Sequence, residues 1–173
     1  MANEIIVLGG GCFWCTEAVV RLFDGIVSTT SGYAGGNVAN PTSDLVYSGT
    51  TGHIEVVKIE YDPKKMPLDK LLDVFFTMHD PTSMDRQGAD AGVEYRSVIF
   101  YTTDKQKEGA EKFIRTAQKD YPKKIVTEIR RLDKFYPAEE HHQNFYERNP
   151  RVPYCPIVIA PKIAKVKKKY GLA

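Results

Sequence analysis

A glycine-rich segment with two cysteines, Gly9-Gly10-Gly11-Cys12-Phe13-Trp14-Cys15, has the clearest potential for chemistry. The apolar run Ile5-Ile6-Val7-Leu8 precedes it and a helical pattern follows, so Cys12 is predicted at or beside a helix N-terminus. Unpaired N–H groups and the positive dipole end of a helix favour a thiolate, which is the nucleophilic form of cysteine. The alternative is a small buried side chain that ends a strand. We interpret Cys12 as a nucleophile, because three glycines and an aromatic pair are costly for packing alone.

Cys12 and Cys15 also have the Cys-x-x-Cys spacing of redox proteins. On its own this spacing fits disulfide exchange, half of a zinc site, or a nucleophile with a neighbouring thiol. A zinc site would need two further ligands, which Cys155 and one of the 4 histidines would have to supply. No second pair of residues has a matching ligand spacing, so we predict no metal site. No nucleotide or flavin motif is present in the sequence, and we predict no cofactor.

Glu55 is a candidate proton donor. It lies in His53–Tyr61, the strongest strand pattern of the chain, and has apolar neighbours on the predicted strand. In a central strand the carboxyl of Glu55 would be removed from water, which raises its pKa and makes it a proton donor near neutral pH. In an edge strand Glu55 would lie in solvent. We favour the central strand.

Three loop residues and an aromatic pair complete the candidate site. Asp90 and Tyr95 lie near the start of a predicted strand, where polar groups orient a substrate, although a solvated turn explains Asp90 equally well. Tyr33 stands in a second glycine-rich loop, where an aromatic residue forms a site wall more often than a core contact. Phe13 and Trp14, beside Cys12, would offer an apolar surface against which sulfur and methyl groups pack well.

The elements that must position these residues follow from hydrophobic periodicity. A glycine-broken loop is predicted over 31–41 and a long loop over 80–94. Loops of this length are usually functional or disordered. The order β-α-β-β-α-β-α-β-α-β mixes adjacent strands with helical crossovers and indicates an α+β fold, with helices packed on a mixed sheet. Strands are predicted over 5–8, 27–30, 53–61, 95–101, 125–132 and 157–159, and helices after Cys12 and over 68–76, 104–117 and 137–148.

The composition is that of one globular domain. With 173 residues the chain is close to one domain length, so we predict a single catalytic domain over 1–173. Proportions of 42% hydrophobic and 27% charged residues exclude disordered and low-complexity classes. The longest apolar runs have four or five residues, too short for a membrane span. With no signal-peptide pattern in the sequence, we expect a soluble, cytoplasmic monomer.

Five motifs are spread through nearly the whole chain: GCFWC at 11–15, SGYAGG at 31–36, GHIEVVKIEYDP at 52–63, RQGADAGVEYRS at 86–97 and HHQNFY at 141–146. In this order they resemble the methionine sulfoxide reductase A family. The resemblance implies a mixed α+β fold with a ferredoxin-like two-layer core. It also implies reduction of the S epimer of methionine sulfoxide, free or in oxidised proteins, with thioredoxin as the reductant that restores the enzyme.

The resemblance also implies roles for the candidate residues. One residue departs from the family pattern, since Phe145 stands where members often have tyrosine. The glycine-rich tail with two cysteines that some members have is absent. The implied roles are those of Cys12 as nucleophile, Glu55 as acid, Phe13 and Trp14 as the pocket for the substrate's methyl group, Tyr33 and Tyr95 as hydroxyls that bind the sulfoxide oxygen, and Asp90 and His142 as residues around the same pocket.

This chemistry implies a second thiol. Release of methionine leaves a sulfenic acid on Cys12, with which another thiol condenses to form a disulfide. Cys155 is the preferred resolving cysteine, because Tyr154-Cys155 resembles a resolving position of the family and the tail could fold over the site. Cys15 is the alternative. It is nearer in sequence, but it lies about one turn into the helix, behind the aromatic pair.

Two other functions compete with the reductase. A general thiol–disulfide oxidoreductase would use Cys12 and Cys15 but would leave Glu55 and Asp90 without a role. A binding module would use the lysine-rich tail over 162–169 to contact nucleic acid or acidic lipid. The tail is more simply a solvated helix face, and a net charge of +2 supplies no electrostatic motive for such binding. We therefore expect no nucleic acid and no membrane as partners.

Overall fold

A six-stranded mixed sheet forms the frame of the protein in the computed structural model, which describes residues 2–173. The chain forms eight strands, six of them in this sheet. They are β1 (Glu4–Gly9), β2 (Ile26–Ala34), β3 (Ile54–Tyr61), β4 (Arg86–Gln87), β5 (Asp90–Ala91), β6 (Val98–Tyr101), β7 (Glu128–Arg131) and β8 (Phe135–Pro137) among residues 2–173. Their order in the sheet is β7-β6-β1-β3-β2-β8, while β4 and β5 form a separate hairpin. Neighbours are antiparallel except β6 and β7, which are parallel.

The helices complete the predicted α+β architecture. They are α1 (Phe13–Val20), α2 (Ser43–Tyr47), α3 (Leu68–Met78), α4 (Asp104–Ala117), α5 (Phe145–Arg148) and α6 (Ala160–Tyr170). Contacts join α1, α3, α4 and α6 to one another, and these helices share an apolar core with one face of the sheet. Because side chains alternate along a strand, Val57 and Ile59 of β3 face this core. Ile54 and Val56 face a smaller core on the other side. In the described part of the chain, no helix combines the length and apolar character needed to cross a membrane.

A glycine turn connects the end of β1 to α1. Gly11 has φ +86°, a conformation that favours glycine, and its N–H donates to the Tyr95 carbonyl at 3.2 Å. A Cβ on Gly10 would lie 2.8 Å from the His79 ring. These two glycines let the chain leave the central sheet and enter α1 within three residues, with Cys12 at the junction.

The glycine-broken loop predicted from residue 31 is wrong in its first part. Strand β2 runs on through Ser31, Gly32 and Tyr33 to Ala34. Gly32 serves close packing, because a Cβ there would come within 2.4 Å of the Phe135 ring and the Tyr136 carbonyl of β8. Tyr33 is therefore a strand residue, and its register partner on β3 is Glu55.

The strand predicted over 157–159 is also wrong. Residues Cys155–Ile159 form a π-helical turn that continues directly into α6. Ile159, Ile163 and Val166 lie on one face of this helical segment and are buried, whereas the side chain of Ile157 is 71% exposed. Burial of a helical stripe has overridden the strand preference of the β-branched run.

The remaining differences concern element boundaries. The strand predicted from Tyr95 begins only at Val98, because 93–95 form a 3-10 turn. The strand predicted over 125–132 is reduced to β7. The helix predicted over 137–148 is instead a 3-10 turn followed by α5, separated at Asn144, which has φ +49°.

We expect the buried His79 to make folding stability fall with acid. Its Nδ1–H donates to the Phe75 carbonyl at 2.6 Å and its Nε2 accepts from the Ser97 hydroxyl at 2.8 Å. Burial lowers the pKa of His79 from 6.5 to about 4. Between these pH values the unfolded chain binds the proton that the folded protein excludes, so this contribution to stability is complete above pH 6.5 and is lost as the pH falls toward 4.

Urea unfolding of the wild type and of His79→Gln across this pH interval tests the expectation. The free energy of unfolding of His79→Gln should depend less steeply on pH, while the exposed His141→Gln variant should keep the wild-type slope. Equal slopes for wild type and His79→Gln would contradict it.

Candidate active site

Cys12 is the N-cap residue of α1, as predicted. Its φ and ψ of −64° and 129° are extended, and its carbonyl accepts the N–H of Cys15 at 3.1 Å. Only 9% of Cys12 is exposed. The sulfur therefore lies at the start of a helix, in a nearly closed pocket.

Glu55 is joined to the same helix start by a buried hydrogen bond. The N–H of Phe13, the residue after Cys12, donates to Glu55 Oε1 at 3.0 Å. Glu55 is 1% exposed in the central strand β3, as the alternation of apolar residues predicted. Burial raises the pKa of Glu55 to about 8, against the lowering effect of the Phe13 N–H, and the charges of Asp90 and Glu94 add to the rise. At neutral pH most of this carboxyl is therefore protonated.

The two cysteines of the Cys-x-x-Cys pair titrate in opposite directions. Burial, followed by the hydrogen bond to Cys15 and the charge of Glu55, raises the pKa of Cys12, although the N–H of Trp14 lowers it. The helix start alone predicted a lowered pKa for Cys12. The pKa of Cys12 is raised instead because the thiol is buried and because Glu55, not Cys12, accepts the Phe13 N–H.

The pKa of Cys15 is instead lowered to about 7. The largest cause is the hydrogen bond from Cys12, and the charge of Lys162 and a contact with Tyr154 contribute. Cys15 Sγ lies 3.8 Å from Tyr154 Oη. Of the two thiols, therefore, Cys15 is the more acidic and Cys12 the more firmly protonated.

Aromatic rings wall the pocket beside Cys12. Trp14 stacks on Phe145 with ring centroids 3.6 Å apart and planes at 5°, and it donates its Nε1–H to His142 Nδ1 at 3.2 Å. Tyr154 meets the Trp14 ring edge-on at 5.7 Å. The Phe13 ring lies 5.3 Å from the His142 ring. Phe13, Trp14 and His142, three residues singled out from sequence, thus belong to one cluster.

The predicted polar residues lie around this cluster. Tyr33 is paired across the strands with Glu55, and its hydroxyl donates to Glu139 at 3.5 Å. Asp90 Oδ2 accepts from Tyr154 Oη at 2.6 Å. The charges of Glu55, Asp90 and Cys12 raise the pKa of Tyr95, although burial is the larger cause. The fold therefore brings Tyr33, Asp90 and Tyr95 to the surroundings of Glu55 from three different segments.

Three residues of the site were not predicted. Tyr47 ends the short helix α2, and burial together with the charges of Glu55 and Cys12 raises its pKa. Glu139 tethers that helix, because its Oε2 accepts from the N–H of Ser43 at 3.1 Å and from its hydroxyl at 2.7 Å. Tyr154, noticed only as the neighbour of a cysteine, bridges two site residues. A five-residue helix and isolated polar contacts give no periodic signal that could have revealed them.

Cys155 begins the π-helical turn and is 1% exposed. Burial and then the charge of Cys15 raise its pKa. All three cysteines are free thiols. Between residues 2 and 173, no group of three or more His, Cys, Asp or Glu side chains is arranged to hold a metal ion.

Comparison with known proteins places this chain in a known family. The family model for peptide methionine sulfoxide reductase matches residues 4–172. A peptide methionine sulfoxide reductase MsrA of Halobacterium salinarum is 49% identical over 173 residues, which cover 99% of this chain and 98% of the relative.

Two solved structures of Mxr1 from Saccharomyces cerevisiae are also similar. The reduced form has a TM-score of 0.85 at 36% identity and covers 90% of each chain. A complex of Mxr1 with Trx2 has a TM-score of 0.61 at 32% identity, covering 83% of this chain and 85% of that one. A match over almost the full length assigns the chain to the peptide methionine sulfoxide reductase family.

Proposed function

We propose that this protein reduces the S epimer of methionine sulfoxide, free or in oxidised proteins, as one catalytic domain over 1–173 that acts as a monomer. The observation that carries the proposal is the hydrogen bond between Glu55 and the Phe13 N–H at 3.0 Å. It holds a carboxyl with a pKa of about 8 next to the thiol of Cys12. A nucleophile and a proton donor in one apolar pocket are what the reduction of a sulfoxide requires.

In the proposed reaction Cys12 attacks the sulfoxide sulfur while Glu55 gives its proton to the sulfoxide oxygen. Cys15 accepts the thiol proton of Cys12 through their hydrogen bond, since the pKa of Cys15 is about 7. The attack joins the two sulfurs. This bond and the sulfur–oxygen bond of the substrate then break as the oxygen passes to Cys12 as a sulfenic acid. The thiol is thereby oxidised by two electrons and the sulfoxide is reduced to methionine, so no metal or organic cofactor takes part.

The walls of the pocket support a preference for one epimer. Phe13 and Trp14 offer apolar faces to the methyl group on one side, while Glu55 and the hydroxyls of Tyr33 and Tyr95 offer proton donors to the oxygen on another. Sulfoxide sulfur is chiral. When the methyl group and the oxygen are both bound, only one of the two epimers presents its sulfur to Cys12.

We further propose that the two remaining cysteines act in sequence. The hydrogen bond between Cys12 and Cys15 favours Cys15 for the first disulfide, which forms with loss of water from the sulfenic acid. Cys155, which the family resemblance favours, then attacks Cys15 and restores the free thiol of Cys12. The two are close enough that the charge of Cys15 helps to raise the pKa of Cys155. The complex of Mxr1 with Trx2 supports a thioredoxin as the external dithiol that reduces the last disulfide.

We also propose that the centre of the sheet is a ferredoxin-like two-layer core. Its four strands have the order β6-β1-β3-β2 and are antiparallel throughout. Helix α1 connects β1 to β2, and α3 lies between β3 and β6 in the chain. This is a split β-α-β arrangement with helices on one layer.

Cys12→Ser should abolish methionine formation from the purified S epimer, even with excess dithiothreitol, because serine is a far weaker nucleophile than a thiol in this pocket. Release of methionine from separated S and R epimers is the measurement. Turnover of both epimers at similar rates by the wild type would contradict the proposed stereochemistry. A wild type that exchanges disulfides but leaves both epimers unchanged would point to a general thiol–disulfide oxidoreductase.

Glu55→Gln should lower the rate of sulfoxide reduction by about 10²–10⁴-fold, the usual contribution of a general acid. The same variant should be more resistant to heat above neutral pH. The raised pKa of Glu55 means that its contribution to stability is complete below pH 4.5 and is lost as the pH rises toward 8. Equal melting temperatures at pH 8.5 would indicate that Glu55 is not desolvated, and an unchanged rate would remove its role as acid.

The order of the cysteines is tested by methionine release without any reductant. The wild type should release about two methionines per enzyme, because transfer of the disulfide to Cys15 and Cys155 frees Cys12 for a second attack. Cys155→Ser should release about one and stop at a disulfide between Cys12 and Cys15. Mass mapping that finds only a Cys12–Cys155 peptide in the oxidised wild type would show direct resolution by Cys155.

A further inference from the structure

The ring of Trp14 is fixed from three directions. Phe145 stacks on one face, Tyr154 meets the ring edge-on, and His142 Nδ1 accepts the indole N–H at 3.2 Å. The hydroxyl of Tyr154 is directed to Asp90, and Phe145 has no hydroxyl. Of the three, only His142 holds Trp14 by a hydrogen bond, so the direction of the indole N–H depends on this histidine.

The hydrogen bond determines which tautomer His142 adopts. An indole N–H only donates, so Nδ1 must be an acceptor and the ring proton must sit on Nε2. Nε2 is buried and has no partner among the described residues. A buried donor without a partner is costly. The hydrogen bond to Trp14 is the contact that this tautomer makes possible.

We propose that His142 is a positioning residue, whose neutral Nδ1 fixes the Trp14 ring as the wall of the pocket beside Cys12. The value of this wall for substrate binding rests on the proposed reductase function. The orientation of the ring does not, and it is measurable without any substrate.

Few ionisable groups face His142. On its own segment they are His141, with ring centroids 4.1 Å apart, and Glu139. From α1 the uncharged rings of Phe13 and Trp14 pack against it. Burial and then His141 lower the pKa of His142, while Glu139 opposes them. The imidazole is thus neutral at physiological pH, and a proton added in acid would have to enter at Nδ1, where it would break the bond to Trp14.

The chain contains 1 tryptophan, so intrinsic fluorescence reports this ring alone. In the wild type we expect a transition in Trp14 emission on acidification, at a lower pH than an ordinary histidine would give, accompanied by greater quenching by acrylamide. His142→Gln keeps an acceptor but does not titrate, so its emission should show no such acid transition. His141→Gln is the matched control and should retain it.

His142→Leu removes the acceptor and extends the test to the substrate. We expect emission shifted to the red at every pH and a KM for methionine sulfoxide raised about threefold to tenfold, the usual worth of one hydrogen bond, with alkylation of Cys12 proceeding at the wild-type rate. In His142→Gln the KM should recover from the value of His142→Leu.

Three results would overturn the proposal: a transition that persists in His142→Gln, a transition lost in His141→Gln, or wild-type emission from His142→Leu. Because the emission arms need no substrate, an absence of reductase activity would refute the proposed function while leaving the positioning role intact.

Discussion

The hydrogen bond from the Phe13 N–H to the buried Glu55 carboxyl is the contact on which the site depends. It crosses from the first turn of α1 to the central strand β3 and ties the Glu55 carboxyl to the residue after Cys12. A carboxyl buried to this extent is tolerated only if it is hydrogen-bonded or neutral, and here both conditions hold. The same burial that raises the pKa of Glu55 also raises that of Cys12, so both groups favour their protonated forms.

Several features of the fold make that contact possible and bring other residues of the site to it. Glu55 reaches the helix start because β3 lies between β1 and β2, and because Gly10 and Gly11 let the chain turn from β1 into α1 without a side chain in the way. The register of β2 against β3 places Tyr33 opposite Glu55. Gly32, next to Tyr33, allows β8 to approach, and the chain after β8 carries Glu139 and His142 to the pocket.

The C-terminal segment closes the other side. Tyr154 donates to Asp90 at 2.6 Å and touches Cys15 at 3.8 Å, so it connects the β4–β5 hairpin to α1 and covers the sulfur of Cys15. Cys12, Cys15 and Cys155 are all nearly inaccessible, so the proposed exchange with an external dithiol requires this segment to move.

The sequence by itself determined where two residues of the candidate site lie. A strand, three glycines and a helix placed Cys12 correctly, and alternation in His53–Tyr61 buried Glu55 in a central strand, because both patterns are local and periodic. Long-range packing decided the rest. It extended β2 through Gly32, turned Ile157–Ile159 into a helix by burying Ile159 with Ile163, and gave the lowered pKa to Cys15 rather than Cys12. Those outcomes depend on contacts between residues that are far apart in the chain, such as Tyr154 with Cys15. The spacing of residues along the sequence does not reveal such contacts.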